Sequence, residues 1–192
     1  MGKIVVSENV SLDGVVEDPT GEEGFRHGGW FGRVGDNDSQ DWARGALAEA
    51  LGAEAFLFGR RTYEFFAARW PARSGELADR LNSLPKYVVS SSFQDPEWSN
   101  STVVQGDVVD EVSKLKRELN GEIVVPGSFK LVHALIEHDL VDELRLTIYP
   151  FVLGVGRRLF GETGDPKRLR LLEAKTIGDN LGFLAYEFVS VG

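Results

Sequence analysis

The sequence predicts an α/β fold, a three-layer α/β/α arrangement around one mixed, mostly parallel sheet with a C-terminal antiparallel hairpin. Three observations carry that reading. Short runs rich in β-branched or aromatic residues recur at Lys3–Ser7, Ala55–Phe58, Lys86–Val89, Thr102–Val104 and Ile123–Val125, as expected for strands covered on both faces. Between them lie segments with a helical period. From Leu140 onward the period becomes two, with Leu144, Leu146 and Ile148 alternating with Glu143, Arg145 and Thr147, the signature of a strand with one apolar face.

Each element has its own local reason. Asp38 or Ser39 can cap a helix through about Leu51, with Trp42, Ala46, Leu47 and Ala50 on one face. Ala55–Phe58 ends at Gly59, and Arg60-Arg61-Thr62-Tyr63-Glu64-Phe65-Phe66 opens the next helix, which Pro71 stops. Glu76 to Leu84 reads as a short helix, and Lys86–Val89 runs into Ser90-Ser91-Ser92. Asp107 caps a helix whose Val108, Val112, Leu115 and Leu119 form a stripe. Ile123–Val125 is broken by Pro126-Gly127, after which Leu131, Val132, Leu135 and Ile136 make one apolar helical face. Leu169–Ile177 and Phe183–Val191 flank a turn at Gly178-Asp179-Asn180 and form the hairpin. No repeat, linker or low-complexity stretch interrupts the chain, so residues 1–192 are expected to form a single domain.

Composition narrows the functions. The 192 residues are 42% hydrophobic and 27% charged, which is enough for a substantial core. A formal net charge of −9 repels phosphodiester backbones, so nucleic acid is not an expected partner. The absence of cysteine excludes disulfides, Cys-ligated zinc and thiol nucleophiles. The histidines His27, His133 and His138 do not have the spacing of a shared metal site. No leader-like segment or membrane-length apolar run is seen, and the expected location is the cytoplasm.

Chemistry concentrates at three strand tips: Gly59-Arg60-Arg61-Thr62, Ser90-Ser91-Ser92 and Gly127-Ser128. In an open α/β sheet the carboxyl ends of parallel strands share one edge, and ligands bind there. The tips offer helix N-termini, hydroxyls and two guanidinium groups, a donor set suited to a phosphorylated nucleotide. Two cations at a helix N-terminus oppose the helix dipole and call for an anion, or are simply solvated. Gly154-Val155-Gly156 lacks the third glycine and the following helix of a dinucleotide fingerprint.

In family order, the segments V-S-E-N-V-S-L-D-G, F-L-F-G-R-R-T-Y-E-F-F, P-K-Y-V-V-S-S-S, V-V-P-G-S-F-K-L and H-D-L-V-D-E-L-R-L-T-I-Y-P-F-V-L-G-V-G-R-R-L-F cover nearly the whole chain. This ordered set resembles the RibD C-terminal (bifunctional deaminase-reductase C-terminal) family of the dihydrofolate reductase-like superfamily. The resemblance implies NADPH as reductant. It places the 2′-phosphate near Arg60, Arg61 and Ser90, Ser91 and Ser92, and the pyrophosphate near Gly127 and Ser128, with Gly59 and Thr62 in the same cofactor-binding set. The implied activity is that of a 5-amino-6-(5-phosphoribosylamino)uracil reductase of riboflavin biosynthesis. The alternatives are dihydrofolate reductase and a nucleotide-binding homologue without turnover. Relatives often carry Gly-Gly where this chain has Gly127-Ser128, and the deaminase half with its H-x-E and P-C-x-x-C is missing.

Three further expectations concern the substrate side and assembly. Asp13, in the Ser11-Leu12-Asp13-Gly14 turn, is the candidate catalytic residue for substrate contact or proton relay; its other reading is turn chemistry. The loop Ser11–Gly35, with Phe25, Trp30 and Phe31, is expected to cover the substrate, with Trp30 binding it. The competing reading puts those aromatics in the core or in a dimer contact. A homodimer is expected, because the strand Leu140–Tyr149 and the C-terminal hairpin present one apolar and one polar face.

Overall fold

The computed structural model describes residues 1–162 and 164–189. In chain order it contains β1 (Lys3–Ser11), a 3-10 turn (Trp30–Gly32), α1 (Asp36–Gly52), β2 (Ala53–Gly59), α2 (Arg60–Ala67), α3 (Glu76–Ser83), β3 (Lys86–Val89), β4 (Ser101–Val104), α4 (Val108–Glu118), β5 (Glu122–Pro126), α5 (Phe129–Glu137), β6 (Glu143–Tyr149), β7 (Arg168–Ile177) and β8 (Leu181–Val189). The strands hydrogen-bond in the order β4-β3-β2-β5-β1-β6-β8-β7. This is the mixed α/β sheet the sequence predicts. Ser190 and Val191, the last two residues of the expected hairpin strand, lie outside the described residues.

The chain gathers into two compact units, each discontinuous in sequence. The first comprises Met1–Val6 and Ala46–Asp142. Its strands pair in parallel: β2 with β3, β2 with β5 and β3 with β4. Phe56, Phe58, Tyr63, Leu81, Leu84, Val88, Trp98 and Val124 form its buried cluster, each large side chain stabilising the unit by roughly 1.5–3 kcal/mol. The Asp107 carboxylate accepts from Val109 N at 2.9 Å and Asp110 N at 3.1 Å, which starts α4 where the sequence predicts.

A buried cation fixes the corner before β3. Lys86 Nζ donates to the carbonyls of Asn82 (3.2 Å), Leu84 (2.7 Å) and Ser99 (3.0 Å) and lies 4.3 Å from the Trp98 ring centroid. Burial pulls its pKa down to about 8, which leaves the ammonium charged at neutral pH. The carbonyls and the indole face then compensate that charge.

The second unit comprises Ser7–Gly45 and the chain from Glu143 onward. Here β6 and β7 both pair antiparallel with β8, and a bulge interrupts β7 between Leu171 and Glu173. Trp30, Tyr149 and Leu181 are its buried core, with Phe31, Trp42, Phe151 and Ile177 packed around them. The first turn of α1 staples the hairpin turn. Buried Asp38 accepts from Asp179 N (2.7 Å), Asn180 N (2.9 Å) and Asn180 Nδ2 (3.1 Å). The Asn180 side chain and these amides hold the Asp38 carboxyl below the usual carboxylate range. Strand β1 runs to Ser11, four residues past the predicted end at Ser7. Its extension carries Glu8 and Asn9, polar residues that interrupt the apolar run on which the shorter prediction rested. Among the described residues, no helix is long and apolar enough to cross a membrane.

Candidate functional site

The parallel register brings three strand tips of the first unit together. Gly59 lies opposite Val89, the residue before Ser90, while Phe56 lies opposite Val124. Three residues beyond those two come Gly59 and Gly127. Side chains then lock the tips. Ser128 N donates to Thr62 Oγ1 at 3.0 Å, Gly59 N donates to Ser128 Oγ at 2.9 Å, and that hydroxyl donates to Pro126 O at 3.3 Å. The β2–α2 and β5–α5 junctions are thereby one structure.

The turn that makes this possible needs two successive left-handed residues, Gly127 at φ +58° and Ser128 at φ +63°. Glycine adopts that conformation freely, and at position 127 a side chain would also be crowded. A Cβ there would stand 3.1 Å from Thr62 Cγ2 and 3.3 Å from Thr62 Oγ1. The serine at 128 was expected to offer a hydroxyl to a ligand. The structure uses that hydroxyl as a latch between strand tips, so its contribution is to hold the cradle's shape.

Both α2 and α5 begin without a side-chain cap and without an acidic residue in the first turn. Helix geometry leaves their first-turn N–H groups without intrahelical acceptors, and the positive dipole ends point out of the same cradle. Arg60 and Arg61, both exposed, stand in the first turn of α2. Arg60 Nε pairs with Glu64 at 2.8 Å, its Nη1 donates to Ser92 Oγ at 3.3 Å, and its guanidinium lies 5.5 Å from the Phe93 ring centroid. The loop carrying Ser92 is shaped by Ser90, whose Oγ accepts from Phe93 N at 3.1 Å. Ser91 is exposed between them. The arrangement can bind a phosphate ester: two converging helix ends, two guanidinium groups and a serine-lined loop.

In the second unit the structure corrects two expectations. The Asp13 carboxylate accepts from Ser11 Oγ (2.7 Å), Leu153 N (3.1 Å) and Gly154 N (2.8 Å), and the Arg158 guanidinium bonds the Asp13 carbonyl. The Ser11 hydroxyl and those amides lower its pKa to about 2. A carboxylate so occupied has no proton to relay at neutral pH; Asp13 pins the 151–159 loop, which is the turn-chemistry reading. Trp30 is fully buried, its indole N–H donates to Glu17 O at 3.0 Å, and its ring meets Tyr149 edge-on at 5.2 Å. It is packing, because a side chain with no exposed surface cannot touch a substrate.

The loop expected to be a lid is anchored rather than open. Asp18, buried, accepts from Glu23 N and Phe25 N at 3.0 Å each. Trp30→Ala is therefore expected to cost about 3–5 kcal/mol of stability and to leave turnover per folded molecule unchanged. Thermal denaturation alongside activity normalised to folded protein checks this.

Two features escaped sequence reasoning. Glu8 is 6% exposed, its Oε1 has no hydrogen-bond partner, and burial raises its pKa to about 8. Its only sequence signal was a lone acid in an apolar strand. Trp42 Nε1 donates to Asn9 Oδ1 at 2.8 Å, which ties α1 to β1 within the second unit.

The fold defines an α/β protein of the dihydrofolate reductase-like class. The chain belongs to the RibD C-terminal domain family, whose model matches residues 2–183. Among curated relatives it is 25% identical over 191 residues to the uncharacterized protein YyaP of Bacillus subtilis (strain 168), covering 97% of this chain and 95% of that one. A putative riboflavin biosynthesis protein from Shewanella sp. PV-4 superposes with a TM-score of 0.77 at 21% identity, covering 98% of this chain and 99% of that one. Dihydrofolate reductase from Enterococcus faecalis, solved with NADP(H), superposes with a TM-score of 0.57 at 13% identity over 98% of this chain and 97% of that one.

Proposed function

We propose that this protein is an NADPH-dependent reductase acting on a small heterocyclic or ribosylamino substrate of the 5-amino-6-(5-phosphoribosylamino)uracil kind. The observation that carries the reading is the phosphate cradle of the first unit, where two uncapped, acid-free helix ends meet at Gly127 and Ser128 beside Arg60 and Arg61. Membership of the RibD C-terminal family and the likeness to a reductase solved with NADP(H) support it. When bound, the cofactor supplies the hydride. The first-turn amides of α2 and α5 would hold its pyrophosphate. Arg60, Arg61 and Ser92 would hold its terminal phosphate, with Ser90 and Ser91 shaping the loop.

One observation weighs against true dihydrofolate reductase activity. That activity calls for a carboxylate on the helix after the long loop. Two acids on α1, Asp41 and Glu49, are candidates, and neither stands in a recognisable motif. Asp41 accepts from Gly178 N at 3.1 Å and pairs with Arg44, so it is committed to the hairpin turn, which makes a pterin the less favoured substrate.

The expected result is tighter binding of NADPH than of NADH. A charge-assisted hydrogen bond contributes about 1.5–3 kcal/mol. Because Arg60 is half exposed, the low end applies, which is roughly a tenfold preference. Dissociation constants from fluorescence titration of both cofactors, repeated for Arg60→Ala and Arg61→Ala, measure it. Equal affinities, or variants that weaken both cofactors alike, would remove the proposed 2′-phosphate site. Binding without NADPH oxidation across a panel of aminopyrimidine ribosides and pterins would instead favour a non-catalytic binder.

A further inference from the structure

Strand β1 carries one side chain that neither the phosphate cradle nor the core accounts for. Side chains alternate along a strand. Val5 packs in the core of the first unit, and Asn9 accepts from Trp42 on α1, so the odd residues of β1 face that side. Glu8 therefore points to the opposite face, as do its buried neighbours Val6 and Val10. The adjacent strand β6 has the same division. Its Tyr149 meets Trp30 and Phe31 in the cluster that includes Trp42. The alternate residues Leu144, Leu146 and Ile148 share the face of Glu8.

Glu8 is thus a carboxyl set among Val, Leu and Ile positions of β1 and β6. It is 6% exposed, and among the described residues its Oε1 has no hydrogen-bond partner. An unmet buried acceptor is costly, and native proteins keep such a group where a ligand or a reaction uses it. Burial raises its pKa to about 8, so the carboxyl is mostly protonated at neutral pH. A neutral carboxylic acid sets one O–H donor beside one carbonyl acceptor. Its complement is a lactam edge, a ring N–H next to a ring C=O, which closes two hydrogen bonds in one plane. A cationic ligand suits the position less, because an ion pair in apolar surroundings loses the hydration of both charges.

We propose that Glu8 is a substrate-binding residue, whose orphaned carboxyl on the apolar face of β1 and β6 takes the lactam edge of a flat, uracil-like heterocycle. The substrate class rests on the reductase reading above, whereas the orphaned carboxyl does not. Recognition then has two parts of different chemistry. The cradle of the first unit takes phosphate through charge, and Glu8 takes the ring through paired neutral hydrogen bonds. A site built around such a pair discriminates strongly against a ring that lacks it, since its own polar group is then left unmet.

The test uses two probes on the full chain: 5,6-diaminouracil, which carries the lactam, and its 1,3-dimethyl derivative, whose ring N–H groups are blocked. In protein labelled with carbon-13 glutamate, the first probe is expected to shift the Glu8 carboxyl resonance saturably. The absence of that resonance from Glu8→Gln assigns it. The dimethyl derivative is expected to bind about tenfold more weakly, the factor one lost hydrogen bond gives. Glutamine also sets an N–H beside a carbonyl, so Glu8→Gln is expected to retain binding of diaminouracil. Glu8→Leu is expected to lose at least about tenfold in affinity while melting no lower than the wild type at pH 7. An unmoved Glu8 resonance, equal binding of the two probes, undiminished binding by Glu8→Leu or lost binding by Glu8→Gln would each overturn the proposal. NADPH titrated into the same wild-type sample keeps the two readings apart. Failure to bind NADPH sinks the reductase reading, whereas normal NADPH binding with an unmoved Glu8 resonance sinks this inference alone.

Discussion

Gly127→Val is expected to abolish NADPH binding while leaving far-UV circular dichroism close to that of the wild type. Valine is forced into a left-handed conformation at φ +58°, the least tolerated region for a β-branched residue. Its Cβ would stand 3.1 Å from Thr62 Cγ2, tighter than ordinary packing allows. Thr62 Oγ1 is the acceptor of the Ser128 amide, so relieving the crowding breaks the lock between the β2–α2 and β5–α5 junctions. Misalignment of the two helix ends removes converging donors from the phosphate. A hundredfold loss corresponds to about 3 kcal/mol, and the loss is expected to be at least that large. The damage is confined to a surface turn, so the melting temperature should fall by only a few degrees. Calorimetric titration of NADPH reads the first effect and thermal melting the second. A variant that binds NADPH normally would move the cofactor site away from this turn.

Glu8→Gln is expected to stabilise the protein increasingly as pH rises from 5 to 8. Burial raises the folded pKa of Glu8 to about 8 from an ordinary 4.5. The sign follows from linkage. Between those values the folded chain keeps a proton that the unfolded chain has released, so wild-type stability falls as pH rises through the window. At 1.36 kcal/mol per unit, the accumulated cost near pH 8 is roughly 5 kcal/mol. The wild type is thus most stable below pH 4.5 with respect to this group. Glutamine removes the titration while retaining a similar shape. The two proteins should melt together near pH 4.5 and diverge by on the order of 10 °C near pH 8. A gap independent of pH would show that Glu8 ionises freely in the folded protein.

The architecture was legible in the sequence because its signals are local. Lys86–Val89 is a strand between the bounds its β-branched residues predict, and Asp107 caps α4 with its own carboxylate. The alternation from Glu143 to Ile148 is the cross-strand face pattern that the register later displays. Glycine at 127 likewise announced a turn. The errors occurred where a residue's role depends on something distant along the chain. Asp13 has the sequence of a reactive turn, yet its carboxylate is occupied by amides from Leu153 and Gly154. Trp30 stood in a glycine-rich stretch that reads as a mobile lid, and Tyr149 and Leu181 enclose it in a core. Glu8 lies just past the predicted end of a strand at Ser7 and is a buried member of β1, where burial raises its pKa to about 8.

Periodicity and punctuation therefore determined the strands, the helices and their order, since each depends on residues within a few positions of one another. Only the tertiary structure decided which polar groups are free to act. It spent the Ser128 hydroxyl on Gly59, the Asp38 carboxylate on the 179–180 turn and the Asp13 carboxylate on the 153–154 amides. The physical reason is that hydrogen-bond satisfaction is a property of space. A carboxylate's pKa and availability are set by the donors and the dielectric around it, and for Asp13 and Asp38 some of those donors stand more than a hundred positions away in the chain.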